Sequence, residues 1–174
     1  MYLESFEGVE TGSASVQKMA LTATATKSVR MEIKSALGLD RPFEMVRNAV
    51  RKNLLLETCR VSKVPQIHDQ IARRLANMEP GTRGIIYCPT RRSTRDLSAF
   101  LKSQGVSVES YHGGMDSEKR RRVYRQFIDQ NLSVVVATSA FGMGVDIADL
   151  RFVYHAGLPQ SIEQYVQELS LIHI

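Results

Sequence analysis

Hydroxyl, glycine and arginine residues gather in three short segments of this chain, each placed where it could hold a phosphate. The first is Cys88-Pro89-Thr90-Arg91-Arg92-Ser93-Thr94, which leaves an apolar run and enters a helical pattern. A helix N-terminus offers free N–H groups and a partial positive charge. Thr90, Ser93 and Thr94 add hydroxyls, and Arg91 and Arg92 add charge. A plain capped turn would use the same residue types, so two readings stand. The second segment is Tyr111-His112-Gly113-Gly114-Met115-Asp116. Its glycines allow either close approach of the backbone to a ligand or a tight left-handed turn. The basic run that follows, Glu118 to Arg122 with Arg125, is either a polyanion contact or a solvated helix face. The third segment, Ala137 to Asp146, carries Gly142-Met143-Gly144, and Asp146 could accept from a ribose or cap a turn.

Other chemistries find less support. No GxxxxGK[ST] loop and no complete dinucleotide fingerprint is present. The two cysteines, Cys59 and Cys88, show no CxxC spacing, so neither zinc nor a disulfide framework is indicated. Both lie in apolar, strand-like runs and are expected to be buried free thiols. No nucleophile–base pair is legible around His68, His155 or His173. Lys and Arg number 23 against 18 Asp and Glu, a net charge of +5 that leans towards a polyanion. No apolar run reaches the roughly 18 residues that span a bilayer. The first residues lack the pattern of a signal peptide.

Positioning these segments requires a scaffold, and the apolar patterning supplies one. Hydrophobic residues make up 43% of 174 positions, enough for one ordinary domain. Residues 1–18 have little periodicity and read as a loose tail. A short strand is expected over Met19–Ala25 and a helix over Lys27–Leu37, followed by extended runs at Phe43–Val46 and Asn53–Val61. From residue 64 the pattern alternates. Helices are expected over Val64–Met78, Thr94–Ser103, Asp116 to about Asp129, and Ile162–Glu168. Strands are expected over Gly84–Cys88, Val106–Tyr111, Ser133–Thr138 and Leu150–Ala156. Strands alternating with helices imply an α/β fold, a mainly parallel sheet covered by helices on both faces. In such a sheet ligands bind beyond the carboxyl ends of the strands, where all three segments fall. A groove that tracks a single-stranded backbone needs that arrangement.

Several stretches resemble the RecQ family of DNA helicases. They are Ala20-Leu21-Thr22-Ala23-Thr24-Ala25-Thr26, Gly84 to Cys88, Tyr111 to Met115, Val136 to Asp146 and Arg151 to Tyr165, in that order. The similarity covers about residues 19–168. The resemblance implies a RecA-like three-layer sandwich, here the second of two motor lobes with ATP between them. It implies 3′ to 5′ translocation on single-stranded DNA with Mg2+-ATP hydrolysis, and unwinding of forked or duplex DNA in repair and recombination. It assigns Thr90, Arg91, Arg92, His112, Gly113, Gly114 and Thr138 to the DNA backbone. Gly144, Asp146 and Gln167 would face the nucleotide, and Thr22 and Thr24 would couple ATP to DNA. No catalytic residue, metal ligand or membrane contact is expected in this chain. The setting would be the nucleus of a eukaryote, or the cytoplasm and nucleoid of a bacterium.

The departures from the family pattern also carry expectations. No Walker A lysine or DExH box precedes Ala20. The family's last motif runs Gln-Glu-x-Gly-Arg-x-Gly-Arg, whereas Gln167-Glu168 is followed here by Leu169-Ser170-Leu171-Ile172-His173-Ile174. The expected organisation is a tail (1–18), the end of a first lobe with its linker (19–41), the C-terminal RecA-like domain (42–168) and a non-native tail (169–174). The folded centre is expected from about Phe43 to Glu168. The chain would then be an inactive part of an ATP-dependent helicase. The alternative is a stand-alone single-stranded nucleic-acid-binding module without catalysis. A third reading, a different α/β enzyme, would need the nucleophile–base pair that is not legible.

Overall fold

The continuous apolar runs form the centre of a parallel sheet, as their lack of alternation predicts. The computed structural model of the chain describes residues 17–22, 25–46, 51–142, 147 and 149–172. They divide into two compact units, Met1–Asn48 and Ala49–Ile174.

The second unit holds the sheet. Its elements are α2 (Val64–Ala76), β1 (Gly84–Tyr87), α3 (Arg91–Ser103), β2 (Val108–Tyr111), α4 (Ser117–Ile128), β3 (Val134–Ala137), β4 (Phe152–His155) and α5 (Ile162–Leu169), with α1 lying in the first unit. The strand order is β2-β3-β1-β4, and every pairing is parallel. All four carboxyl ends therefore lie on one edge. The two central strands are buried along their whole length. Their alternate side chains feed two cores. Ile85, Tyr87, Val135 and Ala137 pack with Val123 and Phe127 of α4, and with Phe141, Leu150, Leu171 and Ile172. On the opposite face Ile86, Cys88, Val134 and Val136 pack with Ile71 of α2 and Leu97 and Leu101 of α3. This is the three-layer α/β arrangement expected from the sequence.

In the first unit α1 spans Lys27–Ala36 and starts at an N-cap, Thr26, whose side chain accepts from Val29 N–H. Arg30 and Lys34 pair with Glu44. None of the described residues of this unit is buried.

Several sequence expectations need correction. Among the described residues of 19–25 there is no strand, and Leu21 is exposed. The runs at 43–46 and 53–61 likewise contain no strand. Cys59 is consequently exposed rather than buried, while Cys88 is buried as expected. The first helix after β1 begins at Arg91, three residues before Thr94, because Thr90 caps it.

Candidate functional site

The carboxyl edge brings two of the three segments into direct contact. Thr90 is the N-cap of α3, and its Oγ1 accepts from Ser93 N–H at 3.0 Å while Ser93 Oγ accepts from Thr90 N–H at 3.2 Å. The capped-turn reading thus accounts for the hydroxyls of Thr90 and Ser93. Thr94 turns inward and donates to Thr90 O at 2.8 Å. The cap places Arg91 at the first helical position, where its guanidinium lies over the next loop. A Cβ on Gly114 would stand 2.8 Å from Arg91 Nη1, and one on Gly113 would stand 4.0 Å from Nη2. Neither glycine has a positive φ, so the loop is not a left-handed turn. A side chain at 114 would have to displace the Arg91 guanidinium, which lies on the bare backbone.

His112 completes the cluster. The residue is 4% exposed, and its Nδ1 is buried without a hydrogen-bond partner among the described residues. Burial first, then the charges of Arg95, Arg91 and Lys119, hold its pKa below the usual imidazole value. A buried, neutral imidazole with an unpaired nitrogen among three cations is an environment that an anion would satisfy. The first turn of α3 adds the N–H groups of Arg91 and Arg92, which have no partner among the described residues. The start of α4 is different. Asp116 accepts from Glu118 N–H at 2.8 Å and from Lys119 N–H at 3.4 Å, which closes that terminus and lowers the Asp116 pKa.

The remaining DNA-assigned residues divide. Arg92 points away from the cluster, exposed and 3.7 Å from Asp96 on its own helix. Thr138 donates its N–H to Tyr111 O at 3.2 Å and lines a small cavity of about 50 Å³ beyond β1, β3 and β4. His155, Gln164 and Glu168 line the same cavity. His155 Nε2 lies 2.7 Å from Glu168 Oε2, and Gln164 Nε2 donates to Glu168 Oε1 at 2.8 Å. Cys88 is at this edge too, but burial raises its pKa to about 11, the reverse of an activated nucleophile. The His155–Glu168 pair and the contribution of Arg95 were not legible in the sequence. The signal for Arg95 is its position four residues after Arg91, on the same helix face. Glu168 is thirteen residues from His155 and leaves no local signal.

Of the residues assigned to nucleotide, Gln167 is exposed on α5, while Gly144 and Asp146 lie outside the described residues. Of the coupling pair, Thr22 is described and exposed, and Thr24 lies outside. Among the described residues no three His, Cys, Asp or Glu side chains cluster as metal ligands would. Nor is any helix there long and apolar enough to cross a membrane.

Residues 62–170 match the family described as the helicase conserved C-terminal domain. The chain is 36% identical over 153 residues to a probable ATP-dependent DNA helicase, RecS, of Bacillus subtilis, covering 87% of this chain and 30% of that protein. It is 39% identical over 150 residues to the ATP-dependent DNA helicase RecQ of Pasteurella multocida, covering 86% and 23%. The chain thus spans less than a third of the length of these relatives. Among solved structures, Saccharomyces cerevisiae Dbp5 bound to RNA and ADP BeF3 superposes with a TM-score of 0.70 at 21% identity, covering 86% of this chain and 40% of that one. That likeness shows the fold.

Proposed function

This chain belongs to the helicase conserved C-terminal domain family, in its RecQ group, and on that premise we propose that it is the second motor lobe of an ATP-dependent DNA helicase. The full motor translocates 3′ to 5′ on single-stranded DNA, hydrolyses Mg2+-ATP and unwinds forked or duplex DNA in repair and recombination. It works in the nucleus of a eukaryote, or in the cytoplasm and nucleoid of a bacterium. Residues 19–41 end the first lobe and link it to the second, with Thr22 and Thr24 coupling the two. This lobe grips one strand and supplies half of the nucleotide site through Gly144, Asp146 and Gln167. Magnesium would be held mainly by the first lobe and would supply charge neutralisation at the phosphates.

The observation that carries the reading is the seating of Arg91 on the Gly113–Gly114 backbone beside the buried, unpaired His112 Nδ1. A phosphate there meets the Arg91 guanidinium, the free N–H groups of the first turn of α3 and an imidazole nitrogen. None of these donors depends on base identity, as translocation along any sequence requires. Thr138, on the neighbouring strand end, extends the same edge towards the cavity.

The test is a fluorescence-anisotropy titration of the chain with single-stranded DNA at several salt concentrations. Arg91→Gln is expected to weaken binding and to lower the slope of log K against log salt by about 0.7, the value of one phosphate contact on a single strand. An unchanged affinity and slope would remove Arg91 from the interface and the reading with it.

A further inference from the structure

We propose that the outer face of α4 is a second nucleic-acid-backbone site that continues the Arg91–His112 cluster along the outside of the lobe; this rests on the nucleic-acid reading above. The helix carries Lys119, Arg120, Arg121, Arg122 and Arg125, with Glu118 its only acid. Val123 and Phe127 face the core, so Arg121, Arg122 and Arg125 face solvent. None of the five cations makes an ion pair among the described residues. On the other long helices part of the charge is paired. Arg74 of α2 pairs with Glu57, Arg92 of α3 with Asp96, and Lys102 of α3 with Glu109. Cations three and four residues apart repel one another and destabilise their own helix. Asp116 at the N-cap acts on Arg120, but among the described residues no carboxylate pairs with the outer arginines, and a polyanion would relieve their repulsion.

Geometry selects which polyanion. Lys119 lies at the start of the helix, close enough to His112 to act on its titration. Arg122 and Arg125 follow Lys119 at three-residue steps, and Arg121 flanks Arg125 four residues away. The row from Lys119 to Arg125 is about 9 Å long. A nucleic-acid strand presents roughly two to three phosphates over that length. The row begins at the phosphate cluster on the carboxyl edge, so a strand leaving that cluster can continue onto it without a break. An acidic peptide or an anionic membrane has no such continuity with the cluster. The side chains offer charge but no base-reading geometry, so the site is sequence-independent.

The experiment compares two single-stranded oligonucleotides, of about 6 and about 16 nucleotides, lengths that bracket a compact groove and a longer track. The chain is titrated with each, as is the variant R121Q/R122Q/R125Q. The expected result is a loss of about tenfold in affinity for the longer strand at low salt, and a salt slope lower by roughly 2. The short strand should bind unchanged, and R121K/R122K/R125K should restore the longer one. The proposal is overturned if the glutamine variant binds the longer strand normally. Equal weakening of both strands also overturns it. So does a variant that loses binding only to phosphatidylserine vesicles or polyglutamate. Arg91→Gln separates the two ideas: if it leaves the short strand bound normally, the loop reading fails whatever α4 does.

Discussion

His112 is a buried imidazole set among cations. In the free protein, burial and the cations Arg95, Arg91 and Lys119 depress its pKa below the ordinary 6.5. A phosphate at Nδ1 would favour the imidazolium and raise that pKa. Binding should therefore take up a proton, and affinity should rise as pH falls from about 7 towards the depressed value. Folding has the opposite sign. The unfolded chain takes the proton first, so stability is full above pH 6.5 and is lost as pH falls through the folded pKa. Anisotropy titrations between pH 5 and 8 test the binding sign, and His112→Gln should flatten the profile. A wild-type profile that is already flat would take His112 out of the contact. The sequence made this residue legible because Tyr111-His112-Gly113-Gly114 is a local run at a strand end. It could not show that the Gly114 backbone meets Arg91 rather than making a left-handed turn, since that contact crosses twenty-three residues. Nor could it show that the Thr90 hydroxyl is engaged in a cap, because caps and phosphate sites use the same residue types.

At the scale of elements, the sheet was legible where burial is complete and illegible where pairing decides. Gly84-Ile85-Ile86-Tyr87 and Val134-Val135-Val136-Ala137 are apolar without alternation, which only a strand covered on both faces requires. The run Met19–Ala25 is as apolar, but none of its described residues is in a strand. The four pairings also set local packing that composition hides. Gly84 pairs with Phe152 across β1 and β4, and a Cβ at 84 would stand 2.2 Å from the Phe152 ring. That ring is itself buried among Ile86, Leu97 and Val136, so it has little room to yield. Gly84→Ala should destabilise the second unit by about 1–3 kcal/mol, the usual cost of overpacking a core. Urea denaturation should show a lower midpoint with an unchanged m-value. A midpoint equal to that of the parent would mean that β4 shifts freely against β1, against the parallel register described above.

At the scale of the whole molecule, the question is how much of a motor one lobe can be. Phosphoryl transfer depends on positioning and on charges that close around the γ-phosphate, and a single arginine supplied there is worth about 10³-fold or more in rate. In this chain Gln167-Glu168-Leu169 is followed by Ser170-Leu171, where the family's last motif carries Gly-Arg. The segment after α5 instead directs Leu171 and Ile172 into the core beside Tyr87 and Phe141. The polar pair nearest the strand ends, His155 and Glu168, is spent on each other, and the Cys88 thiol is held protonated by burial. Among the described residues Arg91, Arg95, Lys119 and the outer arginines of α4 form no ion pair, and on the proposed reading they hold a nucleic-acid backbone rather than meet a γ-phosphate. The purified chain should therefore bind single-stranded DNA yet hydrolyse Mg2+-ATP no faster than a blank, with or without that DNA. A phosphate-release assay alongside the anisotropy titration reads both halves. DNA-stimulated release above the blank would mean that this lobe completes a nucleotide site by itself, and the two-lobe reading would fall while the DNA contacts stood.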